Sequence, residues 1–359
     1  MKKSIFILLL LAQFGCGENK KAESDTKSEV ELTQCDCNNP SIKEYHELTN
    51  QAELSLCKGE YVEASNYYLQ AFKKIEKPFG HDVFNASICN QLANRLIDRN
   101  SNLQLLINNS EDISKVKSTF VGTYISEDEW DALIVNSTVA YDSKLRKEVD
   151  EIFERDQLFR PMYDTHNDTI NANRIINMNR IISLTDSIGF PSQIELGYTK
   201  SLRGQNHYIV LHHNAQKRSG DKNVLDLEPL LCKAVDEGRF DPEKAIFYLN
   251  FQNDVDKKNF EVYSTWQYKQ PLLPDSLNNK IWLPDLTTEA VKNANKVRSK
   301  WNADKLEQIA IKSDFLTKSD FPFIFTSVMR STGNMPSDLS IEEALEQYRM
   351  MTERKIEYK

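Results

Sequence analysis

Asp156-Gln157-x-x-Arg160 sets an acid and a base four residues apart, the spacing that brings two side chains to one face of a helix. As a surface pair this contributes only about a few tenths of a kcal/mol. Inside a fold a desolvated Arg160 needs partners, and it would then mark either a structural network or an anion pocket. His212-His213 closes a helix predicted further along, and one of the two rings must point inward beside Leu211. An inward histidine near Arg160 could act as a general base, with His207 a weaker candidate, or it could be a hydrogen-bonded core residue. Asp156, Arg160, His212 and His213 are therefore the candidate catalytic residues.

Asp164-Thr165-His166-Asn167-Asp168 places two carboxylates around an imidazole. Such alternation could ligate a divalent metal, but it lacks the glycine of a calcium loop and has no identifiable remote ligand. A polar turn with Asp168 capping the next helix accounts for the same residues, so no metal is expected. The sequence contains no Gly-rich phosphate loop, nucleophile elbow, zincin helix or CxxC pair, which removes the readily recognised enzyme classes. No cofactor is expected either.

Helices are expected to position these groups. A helix capped by Asp142 or Ser143 should run through Leu145, Val149 and Ile152 straight into Asp156. Further helices are expected over about residues 169–187, 199–214 and 225–236. Another should follow Asp241-Pro242-Glu243, where a capping side chain, a proline and an acid come in helix-starting order. Phe260, Val262, Ser264 and Trp266 alternate with polar residues and predict a small β-arm over 259–268. Towards the C-terminus, short helices are expected over 287–301 and 303–311, then an apolar strand at 321–325, then a helix opened by the capping box at Ser340.

Upstream, residues 42–110 look helical. Gly59 through Phe72, with Ala64, Tyr68 and Ala71 at close-crossing positions, resembles one tetratricopeptide repeat. A single repeat cannot bury its own faces. It implies either a groove for a protein or peptide partner or a helical hairpin packed on the main domain. Residues 106–150 read as a polar connector, with Thr119 to Tyr124 a short strand or extended link, before the Asp142 helix.

The N-terminus carries Lys2 and Lys3, an apolar run over residues 5–12, and Gly15-Cys16 followed by a polar stretch. The run is shorter than the roughly 20 residues a spanning helix needs. It resembles a bacterial lipoprotein signal covering residues 1–15, with Cys16 lipidated and inserted in a bilayer; an ordinary secretory signal is the alternative. Residues 16–41 should be a disordered tether. Five cysteines follow Cys16, an odd number, so at least one thiol stays unpaired within the chain. Cys35-Asp36-Cys37 has too short a gap for a zinc knuckle, whereas Cys57 and Cys89 could bridge or remain buried thiols. The net charge of −8, with no strongly basic block, argues against nucleic acid as a partner.

Taken in order, Asp156-Gln157-x-x-Arg160, Gly189-Phe190-Pro191, Gly197 and the histidine-ended helix resemble a widespread uncharacterised bacterial helical domain, over about residues 145–312. Asn293-x-Asn295-x-x-Arg298 resembles that family's closing helix. The resemblance implies a helical fold and a polar site of Asp156, Gln157, Arg160, His212 or His213, and Tyr263 with Thr265. Gln157, Arg160, Tyr263 and Thr265 would bind ligand. The chain departs from the pattern at Phe251-Gln252, where an Asp-Arg pair is expected, and at Ser264 and Trp266. If the family is catalytic, these departures imply lost activity.

The sequence therefore predicts a mainly α protein: a signal, a tether, a helical hairpin over 42–110, a multi-helix domain with a small β-arm over 111–312, and a strand and helix over 313–359. The expected role is a lipid-anchored cell-envelope binding or scaffold module. The alternative is a hydrolase-like enzyme with a histidine base and Arg160 as anion clamp.

Overall fold

The computed structural model describes residues 35–215, 224–254, 267–269, 282–284, 289–319, 321–331 and 351–353. Within them the protein is mainly α. Four helices come first: α1 (Pro40–Cys57), α2 (Tyr61–Ala71), α3 (Gly80–Leu92) and α4 (Leu96–Asn109). Then come α5 (Ser114–Phe120), α6 (Glu127–Val135), α7 (Ser143–Gln157), α8 (Tyr163–Ile188) and α9 (Gln193–Leu196). The series ends with α10 (Tyr208–Ala215), α11 (Glu228–Asp236), α12 (Pro242–Asp254), α13 (Glu289–Lys300) and α14 (Leu306–Lys318). Four three-residue strands pair off: β1 (Gln267–Lys269) runs parallel to β3 (Met329–Ser331), and β2 (Trp282–Pro284) antiparallel to β4 (Met351–Glu353). Residues 259–266 of the expected β-arm and the helix expected after Ser340 lie outside the described residues.

Local chemistry explains several starts. Asn39 accepts from Ser41 N ahead of α1, with Pro40 in its first turn. Ser126 and Glu129 form a reciprocal capping box on α6. Asp142 accepts from the backbone N–H groups of Lys144 and Leu145 to open α7. Asp241 accepts from Lys244 N at the start of α12.

Among the described residues two large apolar cores result, beside a small cluster of Tyr45, Ala71 and Phe79. The first gathers α1 to α6 with α14 and Phe323, Ile324 and Phe325. The second gathers α7, α8, α10, α11 and α12. Helix α13 joins them, since Val291 and Ala294 enter the first core while Val297 enters the second with the adjoining Trp301. Ala52, Ala64, Ala71 and Tyr68 are buried where α1 meets α2. The hairpin does not stand alone: Glu53 of α1 contacts Lys312 of α14.

Four expectations need correction. The polar connector over 106–150 carries helices α5 and α6; of the link expected at 119–124, Thr119 and Phe120 close α5, and the chain then turns between Val121 and Ile125, which form an isolated bridge. The helix expected over 199–214 begins only at Tyr208, because Leu202 (φ 60°) and Gly204 (φ 151°) turn the chain through left-handed conformations. Asp164 to Asp168 lie inside α8 rather than in a turn; the helix breaks its dihedrals at His166 (φ −124°) and resumes. Residues 321–325 are buried at Phe323, Ile324 and Phe325 but form no ladder. The Asn85 side chain bonds both the N–H and C=O of Ile324, taking the place of a partner strand.

The chain is also ordered earlier than the expected tether boundary. Cys35 and Cys37 are buried, and Cys35 is disulfide-bonded to Cys232 across 197 residues of sequence. Cys57 and Cys89 are buried free thiols. Cys16 and the rest of residues 1–34 lie outside the described residues.

Candidate functional site

The last turn of α7 carries Asp156 and Gln157, and the chain then brings Arg160 back alongside. Asp156 is fully buried and organises this cluster. Arg160 Nη2 donates to Asp156 Oδ1 at 2.9 Å and Arg160 Nε to the Asp156 carbonyl at 3.2 Å. On Oδ2 converge Gln157 Nε2 at 2.8 Å and His213 Nδ1 at 2.6 Å. Burial works to raise the Asp156 carboxyl, but the hydrogen bond and charge of His213, then those of Arg160, outweigh it and hold it below the ordinary value.

The structure thus brings Asp156, Gln157, Arg160 and His213 together. His212 points elsewhere and stacks on Phe247, with ring centroids 6.0 Å apart and planes 10° apart. Burial, then the charges of His213 and Arg160, lower its pKa to about 4. His207 is sealed beside Phe190 and Tyr208, and burial lowers it to about 3. His166 stacks on Phe159, between the exposed Asp164 and Asp168. Tyr263, Thr265, Ser264 and Trp266 lie outside the described residues. Phe251 falls in α12, and Gln252 ties down the start of α11 by accepting from Leu227 N and donating to the Leu225 carbonyl.

A second and larger polar cluster, unforeseen in the sequence, lies where α1, α3, α12 and residues 302–304 meet. Lys312 is fully buried; it touches Glu53 and lies 2.5 Å from Asp304. Arg298, also fully buried, pairs with Glu243, whose second oxygen accepts from Asp304 N at 2.7 Å. His81 sits 3.6 Å from both Asp82 and Asp241, and Tyr45 donates to Asp82 at 2.5 Å. Five carboxylates (Glu53, Asp82, Asp241, Glu243 and Asp304) thus share two permanent cations and two nearby imidazoles. Burial pushes Glu53 up to about 8 and Glu243 up to about 7 against the pull of Lys312 and Arg298. At Asp304 burial works to raise the carboxyl, but the charge and hydrogen bond of Lys312, with Ser327 and Arg298, together outweigh it and lower the carboxyl. Lys312 and Asp304 form an ion pair, and Glu53, raised by burial, holds a proton near neutrality. The enclosed space is about 30 Å³, room for about one water and too small for an organic substrate. Arg298 was legible only through the family resemblance. Asp304 lies in the loop before α14, and other members sit on helices such as α3, where His81, Asp82, Asn85, Ser87 and Asn90 are all buried.

A third feature is open. A cleft of about 780 Å³ lies between the start of α5, Arg146 of α7 and the turns at 199–206. Hydroxyls of Ser114, Ser118, Thr199 and Ser201 line it with Lys115, Arg146, Lys200, Glu111 and Asp112. Lys200 pairs with Asp112 at 3.2 Å, and Arg146 Nε lies 3.1 Å from Glu111. Lys115 differs. It is half-buried, reaches the Ser201 carbonyl at 3.5 Å, and lies 5.6 Å from the centre of the Phe84 ring. Burial and then the charge of Arg203 lower its pKa. Among the described residues no carboxylate pairs with it.

No family model, no curated protein and no solved structure matches this chain.

Proposed function

We propose that this is a lipid-anchored protein of the bacterial cell envelope whose globule binds a small anionic ligand, without catalysis, in the cleft around Lys115, Arg146 and Lys200. The carrying observation is Lys115, a partly desolvated ammonium whose charge burial and Arg203 both disfavour. An anion in the cleft relieves that cost, and a cleft of this volume matches small-molecule sites. The lining carries Lys115, Arg146 and Lys200 against Glu111 and Asp112, a small positive excess on a chain of net charge −8. The anchor rests on Lys2, Lys3 and the Gly15-Cys16 junction, through which a lipid on Cys16 would hold the chain to a bilayer.

The test is thermal melting and calorimetric titration of the full chain with inorganic phosphate and with citrate. Binding should raise the melting temperature, by the equivalent of about 2.7 kcal/mol at a hundredfold excess over Kd. Lys115→Ala should remove the effect while leaving the unliganded fold intact. An absent shift, or one that Lys115→Ala leaves unchanged, rules the cleft out. Incorporation of a labelled fatty acid, lost in Cys16→Ser, tests the anchor.

The second reading is a hydrolase-like enzyme. It rests on the 2.6 Å contact between His213 and the buried Asp156 carboxylate, which orients the ring as an acid–histidine pair would orient a general base. It requires Arg160 to clamp an anion, whereas two of that guanidinium's donors already serve Asp156. Hydrolysis of model esters or phosphoesters that His213→Ala abolishes would establish this reading in place of the first.

A further inference from the structure

Cys35 and Cys37, two residues apart, meet Cys232, distant in sequence, on the second core. Cys35 and Cys232 are joined as a disulfide, Cys37 Sγ lies 3.4 Å from Cys35 Sγ, and all three sulfurs fall within 4.8 Å of one another. Their backbones are fixed independently of the S–S bond. Cys37 N donates to the Lys300 carbonyl at 2.9 Å and Asn302 donates to the Cys37 carbonyl at 3.1 Å. Cys35 N donates to Glu228 at 3.2 Å, and Asn39 N to Asp236 at 2.7 Å. An open pocket of about 420 Å³ leads to Cys35 and Cys232, and its wall carries Asp36, Glu228 and Asp236.

We infer that Cys35, Cys37 and Cys232 form a three-thiolate site for a thiophilic d¹⁰ cation, Zn²⁺ in the first instance, that becomes available when the disulfide is reduced. Three sulfurs on a tetrahedron of 2.3 Å Zn–S bonds stand about 3.8 Å apart. The trio meets that spacing with small side-chain rotations once the S–S bond is open. A dithiol or phosphine reductant delivers two electrons and two protons, turning the disulfide into the thiols of Cys35 and Cys232. Zn²⁺ then displaces one proton from each of the three thiols. Asp36, Asp236 and Glu228 make the pocket wall acidic and draw the cation in, and a water from the pocket takes the fourth position.

The competing use of a thiol beside a disulfide is exchange, with Cys37 attacking Cys35 and releasing Cys232. The surroundings oppose it. Burial, then Asp236 and Asp36, push the Cys37 thiol up, which disfavours the attacking thiolate. A dication reverses that balance, because its charge favours the thiolates that the bare pocket disfavours.

The test uses the full chain, oxidised or reduced with a phosphine under argon, freed of reductant and titrated with Zn²⁺ against a chromophoric chelator. Circular dichroism monitors the fold, and Co²⁺ substitution reads thiolate ligation by its charge-transfer absorption. One equivalent should bind to the reduced chain and none to the oxidised chain at that site. Cys37→Ser, which leaves the disulfide intact, should weaken binding to the reduced chain by about 100-fold or more. A Cys57→Ala, Cys89→Ala double variant should bind as the parent does. Unfolding on reduction without metal uptake, failure of the folded reduced chain to bind, or binding that survives Cys37→Ser each overturns the inference.

Discussion

At the scale of single residues, buried charges here are satisfied by sharing rather than by simple pairing. Asp156 serves Arg160, Gln157 and His213 at once. Removing such a hub strands its donors, and a charge-assisted bond is worth about 1.5–3 kcal/mol. Asp156→Ala should therefore destabilise the protein by at least that amount in urea unfolding, whereas His213→Ala, at the partly exposed end of the same contact, should cost less. Equal and negligible costs would mean that the cluster contributes nothing to the fold. Lys312 presents the stronger case. It is fully buried between Glu53 and Asp304, so Lys312→Met leaves Asp304 uncompensated in the interior. Breaking a buried pair on one side costs about 3–5 kcal/mol. A loss below about 1 kcal/mol would show that water reaches the cluster freely.

At the scale of elements, the sequence is readable where caps and apolar periodicity agree. Asp142 with Leu145, Val149 and Ile152 identifies α7, and Asp241-Pro242-Glu243 identifies the start of α12. It is misleading where a distant side chain substitutes for regular structure. The apolar run at 321–325 reads as a strand because nothing near it announces Asn85, more than 230 residues away. The Lys312 cluster is hidden for the same reason: Glu53, Asp304 and Lys312 each read as surface charge on its own helix or turn. The Asp156–Arg160 pair was visible only because its members are four residues apart in sequence, although Arg160 lies beyond the end of α7. Gly197 shows the reverse situation, a single residue whose identity the fold dictates. Its φ is 70°, and an added Cβ would stand 2.2 Å from the Asn109 carbonyl oxygen. Gly197→Ala must bear the left-handed backbone cost of about 1–2 kcal/mol and also push apart the α4 terminus and the 198 segment. Its melting temperature should fall clearly, and a neutral substitution would mean that this junction is loose.

At the scale of the whole molecule, the acidic cluster couples stability to pH. Its carboxylates draw on α1, α3, α12 and the segment before α14, so they titrate only where both cores are assembled. In the folded chain Glu243 and Glu53 are held up to about 7 and 8, against about 4.5 when unfolded. Between those values the folded state binds more protons than the unfolded state, so stability must decline as pH rises. The contribution is complete below about pH 4.5 and gone above about pH 8. Asp156 and Asp304, whose carboxyls are lowered, act in the opposite direction, and only in acid, below the ordinary aspartate range. Buried His207 and half-buried His212, lowered to about 3 and about 4, also oppose the glutamate effect from about pH 6.5 downward, so that effect stands alone only above about pH 6.5. Melting temperature should fall between about pH 6.5 and pH 8.5. Glu53→Gln removes one of the titrating carboxyls while keeping an acceptor for Lys312, so its curve should be flatter over that range and unchanged below pH 4. A parent curve that is level over that range would mean that Glu53 and Glu243 are ionised in the folded chain, with Lys312 and Arg298 sufficient to hold them so.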